Sequence, residues 1–206
     1  MKKTDKRTVS DKKREAILNA TRELVAKYGF AKTTLDDISS AIGMKKSSLY
    51  YYYPSRDDII FDVMKTEIEN YLTEVEEEVK KVKGCINKII TFYRTNLHYL
   101  QRAVNPYNVS INVFFEIKHS IRSIYKELLE REITFLTQII KDGIKMLELK
   151  NCDAKRLATS IVTILESLKY QEFYVSNAIL VSDVNFEKVD KDIEYILKLL
   201  FDSLTK

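Results

Sequence analysis

Glycine and proline are scarce in this 206-residue chain, with four and two residues. So few breakers cannot supply the many tight turns of an all-β chain, and the abundance of Leu, Ile, Lys and Glu points to helix. Cysteine is equally rare: Cys85 and Cys152 lie far apart without Cys-x-x-Cys spacing and read as reduced, structural thiols. No apolar run approaches the ~18 residues of a membrane span. The lysine-rich start lacks the apolar block of a signal peptide, so the expected location is the cytoplasm. Histidine occurs only at His98 and His119, neither within nucleophile or metal spacing, and there is no phosphate-cradling glycine loop and no His-Glu-x-x-His. The sequence therefore offers no catalytic residues, no metal ligands and no cofactor site, and an enzyme is not expected.

What is present is unevenly distributed. Residues 1–56 carry 13 Lys/Arg against 6 Asp/Glu, a net +7, whereas residues 57–206 carry 21 against 24, a net −3. A basic excess confined to one end is the footprint of a chain whose N-terminal part meets a polyanion. The length allows one large or two small domains with a sizeable core.

The most informative stretch is residues 34–55. Thr34 is placed to cap a helix, Asp36 and Asp37 fall in its first turn, and Leu35, Ile38 and Ile42 give it one apolar stripe before Gly43 ends it. A second short segment follows, with Leu49 on its inner side, and stops at Pro54. Two short helices around a tight glycine turn read as a helix-turn-helix; the alternative is an ordinary helical hairpin. Lys45, Lys46, Ser47 and Ser48 distinguish the two. Lysine at a helix start faces the positive end of the dipole, a penalty that an incoming phosphate reverses. Tyr50 to Tyr53 cannot all point one way, because successive helical residues are ~100° apart. Tyr53 falls on the apolar side, while Tyr50, Tyr51 and Tyr52 have hydroxyls that reach outward.

Residues 17–60 resemble the DNA-binding domain of the TetR/AcrR family of bacterial transcriptional regulators. The resemblance rests on Ile17-Leu18 with Ala20 and Leu24, Tyr28-Gly29-Phe30, Thr33-Thr34, Asp37-Ile38, Ala41, Gly43-Met44, Lys46, Leu49-Tyr50, Tyr53-Pro54-Ser55-Arg56 and Ile59. Lys45 stands where the family usually has a capping serine, and Ser47 where it usually has glycine. The resemblance implies phosphate contacts by Tyr50 and Tyr52 and a groove-facing position for Tyr51. Base reading is then expected from Ser48 and Tyr51 and a phosphate contact from Lys46. The full set of expected DNA contacts is Thr34, Lys45, Lys46, Ser47, Ser48, Tyr50, Tyr51, Tyr52 and Arg56.

The expected fold is all-α, a three-helix helix-turn-helix DNA-binding domain followed by a helical ligand-binding and dimerisation domain. Residues 1–9 read as a mobile basic arm carrying Lys2, Lys3, Lys6 and Arg7, residues 10–54 as the DNA-binding domain, and residues 55–206 as the second domain. Ser10 is expected to cap the first helix, in which Ile17, Ala20, Leu24 and Tyr28 form the buried stripe, with Phe30 plugging the three-helix core. Ser55 and Asp58 launch a long helix to about Lys83, a lever of ~42 Å, whose Glu74 and Glu76 to Glu78 form a solvated face. Gly84 breaks the pattern, and further helices are expected to follow from Ile86, around Val113, from about Ser120 to Leu147 with Gly143 marking close packing or a bend, after Asp153, and after Asp183 or Asn185.

The resemblance further implies that the second domain binds a small effector and lowers operator affinity. Candidate lining residues are Phe92, Tyr93, Phe114, Phe115, Tyr125, Phe135, Tyr170, Phe173 and Tyr174, which serve equally well as plain core. The expected ligand is apolar, lipid-like or aromatic, with charge-bearing groups left open. The resemblance also places a homodimer interface on the last two helices, in keeping with a double-stranded operator read as two half-sites ~34–36 Å apart. The competing reading is a basic helical protein that binds anionic surfaces through its N-terminal region.

Overall fold

The computed structural model describes residues 9–205. Among them lie nine α-helices: α1 (Val9–Tyr28), α2 (Leu35–Ala41), α3 (Lys46–Leu49), α4 (Arg56–Lys80), α5 (Cys85–Val104), α6 (Ile111–Ser120), α7 (Arg122–Lys145), α8 (Ala154–Val175) and α9 (Phe186–Asp202). Two 3-10 turns, Asn105–Tyr107 and Val181–Asp183, complete the helical inventory. The described residues form no strand, only isolated bridges between Ser110 and Leu180 and between Leu149 and Thr205.

Two hydrophobic clusters organise these helices. Ile17, Ile38, Leu49, Tyr53 and Ile59 bury one another where α1, α2, α3 and the start of α4 meet. The larger cluster fills the space among α4, α5, α7, α8 and α9. α4 belongs to both, through Ile59 at its start and Tyr71, Val75 and Val79 further along. Its 25 residues span ~38 Å without interruption. Ser55 caps it by accepting from Asp58 N at 3.2 Å. α1 is strapped alongside by Arg14 to Asp62 at 2.9 Å and Arg22 to Glu67 at 2.6 Å.

Several local expectations change. α1 begins at Val9, so Ser10 lies inside its first turn. Tyr28 is exposed, its ring lying beneath the Lys27 ammonium. Phe30 is only half-buried and packs against Phe61 instead of entering the small core. The long helix expected from about Ser120 is α7, which starts at Arg122 after Ile121, whose non-helical ψ of 23° separates it from α6. The caps by Thr34, Asp153 and Asn185 are formed as their positions predict.

Gly143 is a point of close approach between α7 and α5. A Cβ there would lie 2.7 Å from Cys85 Cβ and 2.8 Å from its sulfur. The backbone amide of Cys85 in turn donates to Glu148 at 2.5 Å, which caps α5 from a distant part of the chain. Since Cys85 Cβ cannot swing away, Gly143→Val should push α5 and α7 apart. We expect a loss of ~1–3 kcal/mol, read as a drop of several degrees in the thermal midpoint; an unchanged midpoint would show the contact to be loose.

Candidate nucleic-acid interface and interior cavity

The helix-turn-helix is set by local chemistry. Asp37 N donates to Thr34 Oγ1 at 3.2 Å, while Asp37 Oδ2 accepts from Thr34 N at 2.9 Å and from its hydroxyl at 2.6 Å. These bonds, the hydroxyl first, hold the Asp37 carboxyl below its ordinary pKa. Gly43 takes φ +64°, and Met44 N closes the turn onto Ser39 O at 2.9 Å. α3 then starts without a side-chain cap at Lys45.

Leu49, fully buried, and Tyr53 anchor α3 to the small core. Tyr53 donates to Asp62 at 2.5 Å, and Arg14 reaches the same carboxylate while lying over the Tyr53 ring. With those two residues turned inward, the opposite side of the segment faces solvent. Lys45, Lys46, Ser47 and Ser48 are exposed, Tyr50 is 52% and Tyr51 83% exposed, and Tyr52 is half-buried with its ring edge against Tyr51 at 5.1 Å. Lys46 is not idle in this state, because its ammonium pairs with Asp36 at 2.9 Å.

The turn after α1 is gripped from the other part of the molecule. Gly29 has φ +85°, and the Glu116 carboxylate of α6 accepts from Ala31 N at 2.7 Å. A Cβ on Gly29 would sit 2.8 Å from Glu116 Oε2, so the glycine makes room for that contact.

Behind α6 lies a cavity of about 240 Å³, walled by α1, α4, α5, α6, α7 and α8. Aliphatic residues are the largest group in its lining, among them Val25, Met64, Ile68, Leu100, Ile117 and Leu128. One end is ionisable. Tyr71 donates to Glu132 at 2.5 Å, Asn96 donates to the same oxygen at 3.2 Å, and Lys169 reaches Asn96 Oδ1 at 3.4 Å. Glu166 accepts from Lys169 and from the Tyr125 hydroxyl, and Lys118 stands 3.7 Å from it. Burial pushes Glu132, 4% exposed, up to about 7, against the opposing pull of the Tyr71 hydroxyl. Burial likewise pushes the Lys118 ammonium down to about 8. Burial alone would raise Glu166, but Lys169, Tyr125 and Lys118 together outweigh it and hold that carboxyl below its ordinary value.

Comparison with known proteins now bears on this arrangement. Residues 17–63, which span the helix-turn-helix and the start of α4, match the family model of bacterial regulatory proteins of the tetR family. The helix-turn-helix segment of this chain is of the TetR-family type. It is 23% identical over 177 residues to the fatty acid metabolism regulator protein of Bacillus subtilis, covering 80% of this chain and 90% of that protein. It is 25% identical over 130 residues to the biofilm operon icaADBC HTH-type negative transcriptional regulator IcaR of Staphylococcus epidermidis, covering 59% of this chain and 68% of that one. The crystal structure of a transcriptional regulator from Cytophaga hutchinsonii superimposes with a TM-score of 0.75 over 95% of this chain and all of that one, at 23% identity, and so shares the fold. A chain with this DNA-binding segment is accordingly a DNA-binding regulator of transcription.

Within this TetR-family fold the sequence-predicted site residues separate. Lys45, Lys46, Ser47, Ser48, Tyr50 and Tyr51 share one exposed surface with Tyr52 at its edge. Thr34 lies at the start of α2, its hydroxyl occupied in the capping box. Arg56 is engaged within the chain: its Nη1 donates to the carbonyls of Phe30, Ala31 and Thr33, its other donors hold Asp57, and its guanidinium covers the Phe30 ring, so it braces the turn. The cations of the expected arm, Lys2, Lys3, Lys6 and Arg7, lie outside the described residues.

Of the nine aromatic residues expected around an effector, Phe114, Tyr125 and Tyr170 line the cavity. Six do not. Phe92 and Phe135 pack against each other at 6.2 Å beside a second pocket of about 390 Å³ that shares Glu132 with the cavity, and Tyr93 is buried against α9 with its hydroxyl 3.5 Å from Asp190 O. Phe115 and Phe173 belong to an aromatic cluster with Phe114 and Tyr170, and Tyr174, 75% exposed, stacks on Phe115 from outside. The aromatic-only list missed Tyr71, Asn96, Lys118, Glu132, Glu166 and Lys169. A signal for two of them was present. Glu132 falls on the stripe of Leu128, Leu136 and Ile139, and Lys169 on that of Val162, Leu165 and Phe173, where a charge in a core position marks a buried polar site.

Among the described residues no helix is long and apolar enough to cross a membrane, and no group of three His, Cys, Asp or Glu is placed to hold a metal. The Cys85 thiol, donating to Ile139 O at 3.5 Å, is pushed by burial up to about 12 and is no nucleophile.

The buried carboxyl gives a pH-dependent stability whose sign is fixed. Glu132 is raised from an ordinary 4.5 to about 7, so the folded protein holds a proton that the unfolded chain has released. The associated stability is present below pH ~4.5 and lost as pH rises through 7, on the order of 3 kcal/mol. Glu132→Gln keeps an oxygen for Tyr71 and Asn96 and removes the titration. Urea unfolding between pH 5 and 8 should therefore show a smaller decline in the variant than in wild type; equal declines would assign the proton elsewhere.

Proposed function

We propose that this regulator is a ligand-responsive repressor that binds a palindromic operator as a homodimer and is released by a small effector held in the interior cavity. One observation carries the DNA-reading part: Leu49 and Tyr53 are locked in the core, so the two lysines, two serines and Tyr50 and Tyr51 form a contiguous outward surface on a segment short enough to enter a major groove. Ser48 and Tyr51 read base edges, Lys45, Ser47, Tyr50 and Tyr52 hold backbone, and Lys46 exchanges Asp36 for a phosphate. That exchange is inexpensive, because an exposed pair is worth ~0–1 kcal/mol. Thr34, at the start of α2, supports the backbone contact through its position. The boundary between the reading head and the effector domain falls at residues 54 and 55, where Ser55 starts α4. The protein works in the cytoplasm, the compartment of its DNA.

The homodimer uses α8 and α9. Along α8, Thr159, Thr163 and Ser167 each donate a hydroxyl to the carbonyl four residues earlier, leaving a face of short, internally satisfied side chains. Burying such a face against another helix strands no donor. Tyr195 and Leu199 on α9 and Tyr174 and Val175 at the end of α8 are exposed and supply the apolar part. Release follows if an occupied cavity displaces α6, since α6 holds the Ala31 amide through Glu116. A coupling of ~1–3 kcal/mol gives a 5–150-fold change in operator affinity.

Selection of bound duplexes from a random pool tests the reading and should return an inverted repeat; charge-driven binding to anionic surfaces would return no motif. In the same assay Lys46→Ala should weaken all duplexes and flatten the salt slope by about one unit, whereas Tyr51→Ala should change the preference among them. The interface is tested separately. Leu199→Glu should shift the protein towards monomer in sedimentation velocity and weaken operator binding with it, and a dimer that survives the change would place the interface elsewhere.

A further inference from the structure

The cavity is unequal at its two ends, and the inequality says what kind of molecule it takes. At the end next to α1, the Arg22 charge is met by Glu67 at 2.6 Å although its Nε is buried without a hydrogen-bond partner, and Glu67 also accepts from the Tyr99 hydroxyl at 3.1 Å. The aliphatic part of the lining adds no charge. Around Glu166 two ammonium groups face one carboxylate, since Lys169 and Lys118 both turn to it. Lys169 takes one of its oxygens directly and has Asn96 as a second partner. Lys118 is left with the poorer share. It stands 3.7 Å from the oxygen that already accepts from Tyr125, and otherwise rests on ring faces, 4.2 Å from the centre of Tyr125 and 3.4 Å from that of Tyr170.

We infer that the effector is an amphipathic monoanion, an apolar body ending in a carboxylate or equally small anionic group, whose head pairs with the Lys118 ammonium. This rests on the reading of the cavity as an effector site and specifies its ligand class. A cationic head is the opposite choice that five tyrosines in the wall would otherwise invite. The seat over Tyr125 and Tyr170 is, however, already filled by the cation of Lys118. An incoming cation would meet that charge at close range, whereas an anion supplies the full partner that it lacks. The volume sets the scale of the body. About 240 Å³ is roughly eight water volumes, room for an apolar body of about that many heavy atoms. Glu116 lies two residues before Lys118 on α6, so the helix that receives the head is the helix that holds the reading head's Ala31 amide.

Three probes with one tail and different heads separate the possibilities: octanoate, 1-octanol and octyltrimethylammonium, titrated calorimetrically into the full-length protein. Octanoate should bind at least tenfold more tightly than either of the others. In Lys118→Met, which keeps the stem and removes the charge, the octanoate-to-octanol affinity ratio should fall at least tenfold, and Lys118→Arg should restore most of it. The ratio cancels any general loosening of the cavity. Octyltrimethylammonium binding best, or a ratio indifferent to Lys118→Met, would overturn the anion assignment while leaving an effector cavity in place. Failure of all three tails to bind would instead remove the effector reading, and this inference with it.

Discussion

The whole molecule depends on α4 remaining one stiff rod with each end sunk in a different core. Its first turn is fixed by the Ser55 cap and by Ile59 in the small cluster, and about three to four turns later Tyr71 and Val75 are in the large one. The base of the rod is braced at Asp62, where the Tyr53 hydroxyl and the Arg14 guanidinium meet on one carboxylate. That meeting draws the carboxyl below its ordinary value although burial opposes the shift. A flexible joint at this point would let the helix-turn-helix tumble. With the joint fixed, a displacement anywhere along α4 reaches α3.

What could be read beforehand follows from the range of each interaction. The capping box at Thr34 and Asp37, the turn at Gly43 and the inward placement of Leu49 and Tyr53 depend on neighbours within a few residues, and all are legible. Helical spacing also tells which residues are buried. It does not tell against what, and this is why Phe92 and Phe135 were grouped with Phe114 although they pack on the other side of α5 and α7. Arg56 sits next to a proline turn in a basic segment, so only the folded position of the carbonyls of Phe30, Ala31 and Thr33 shows that its donors are taken. Contacts such as Glu116 to Ala31, 85 residues apart, leave no local mark at all.

The ionisable end of the cavity is costly to keep. Glu132, Glu166 and Lys169 would lose less on burial as apolar residues of similar volume, because desolvating charged groups is seldom fully recovered by their pairing. The fold tolerates the arrangement by satisfying most members: Tyr71 and Asn96 serve Glu132, and Tyr125 and Lys169 serve Glu166. The imbalance is then concentrated on one group, Lys118, at the surface of empty space. A network with a single under-partnered member facing a cavity differs physically from a core ion pair, since its deficit is open to relief by something that enters.

That position also bears on how occupancy would be felt at the DNA. α6 is a helix of ten residues that packs on the large core through Ile111, Val113, Phe114 and Phe115 with none of its residues fully buried. Such an element moves at lower cost than α5 or α7, which are packed along their length. Residues two apart on a helix point about 200° from one another, so Lys118 and Glu116 look in nearly opposite directions, one into the cavity and one at the turn after α1. Pulling or rotating α6 from the inside therefore acts on the outside contact with little loss through intervening side chains. Gly29 sharpens the effect, because the carboxylate fits against its bare Cα and any other residue there would hold the two apart. The coupling thus needs no long chain of relays: one short helix, weakly embedded, touches both the space where a ligand fits and the turn from which the reading head is hung.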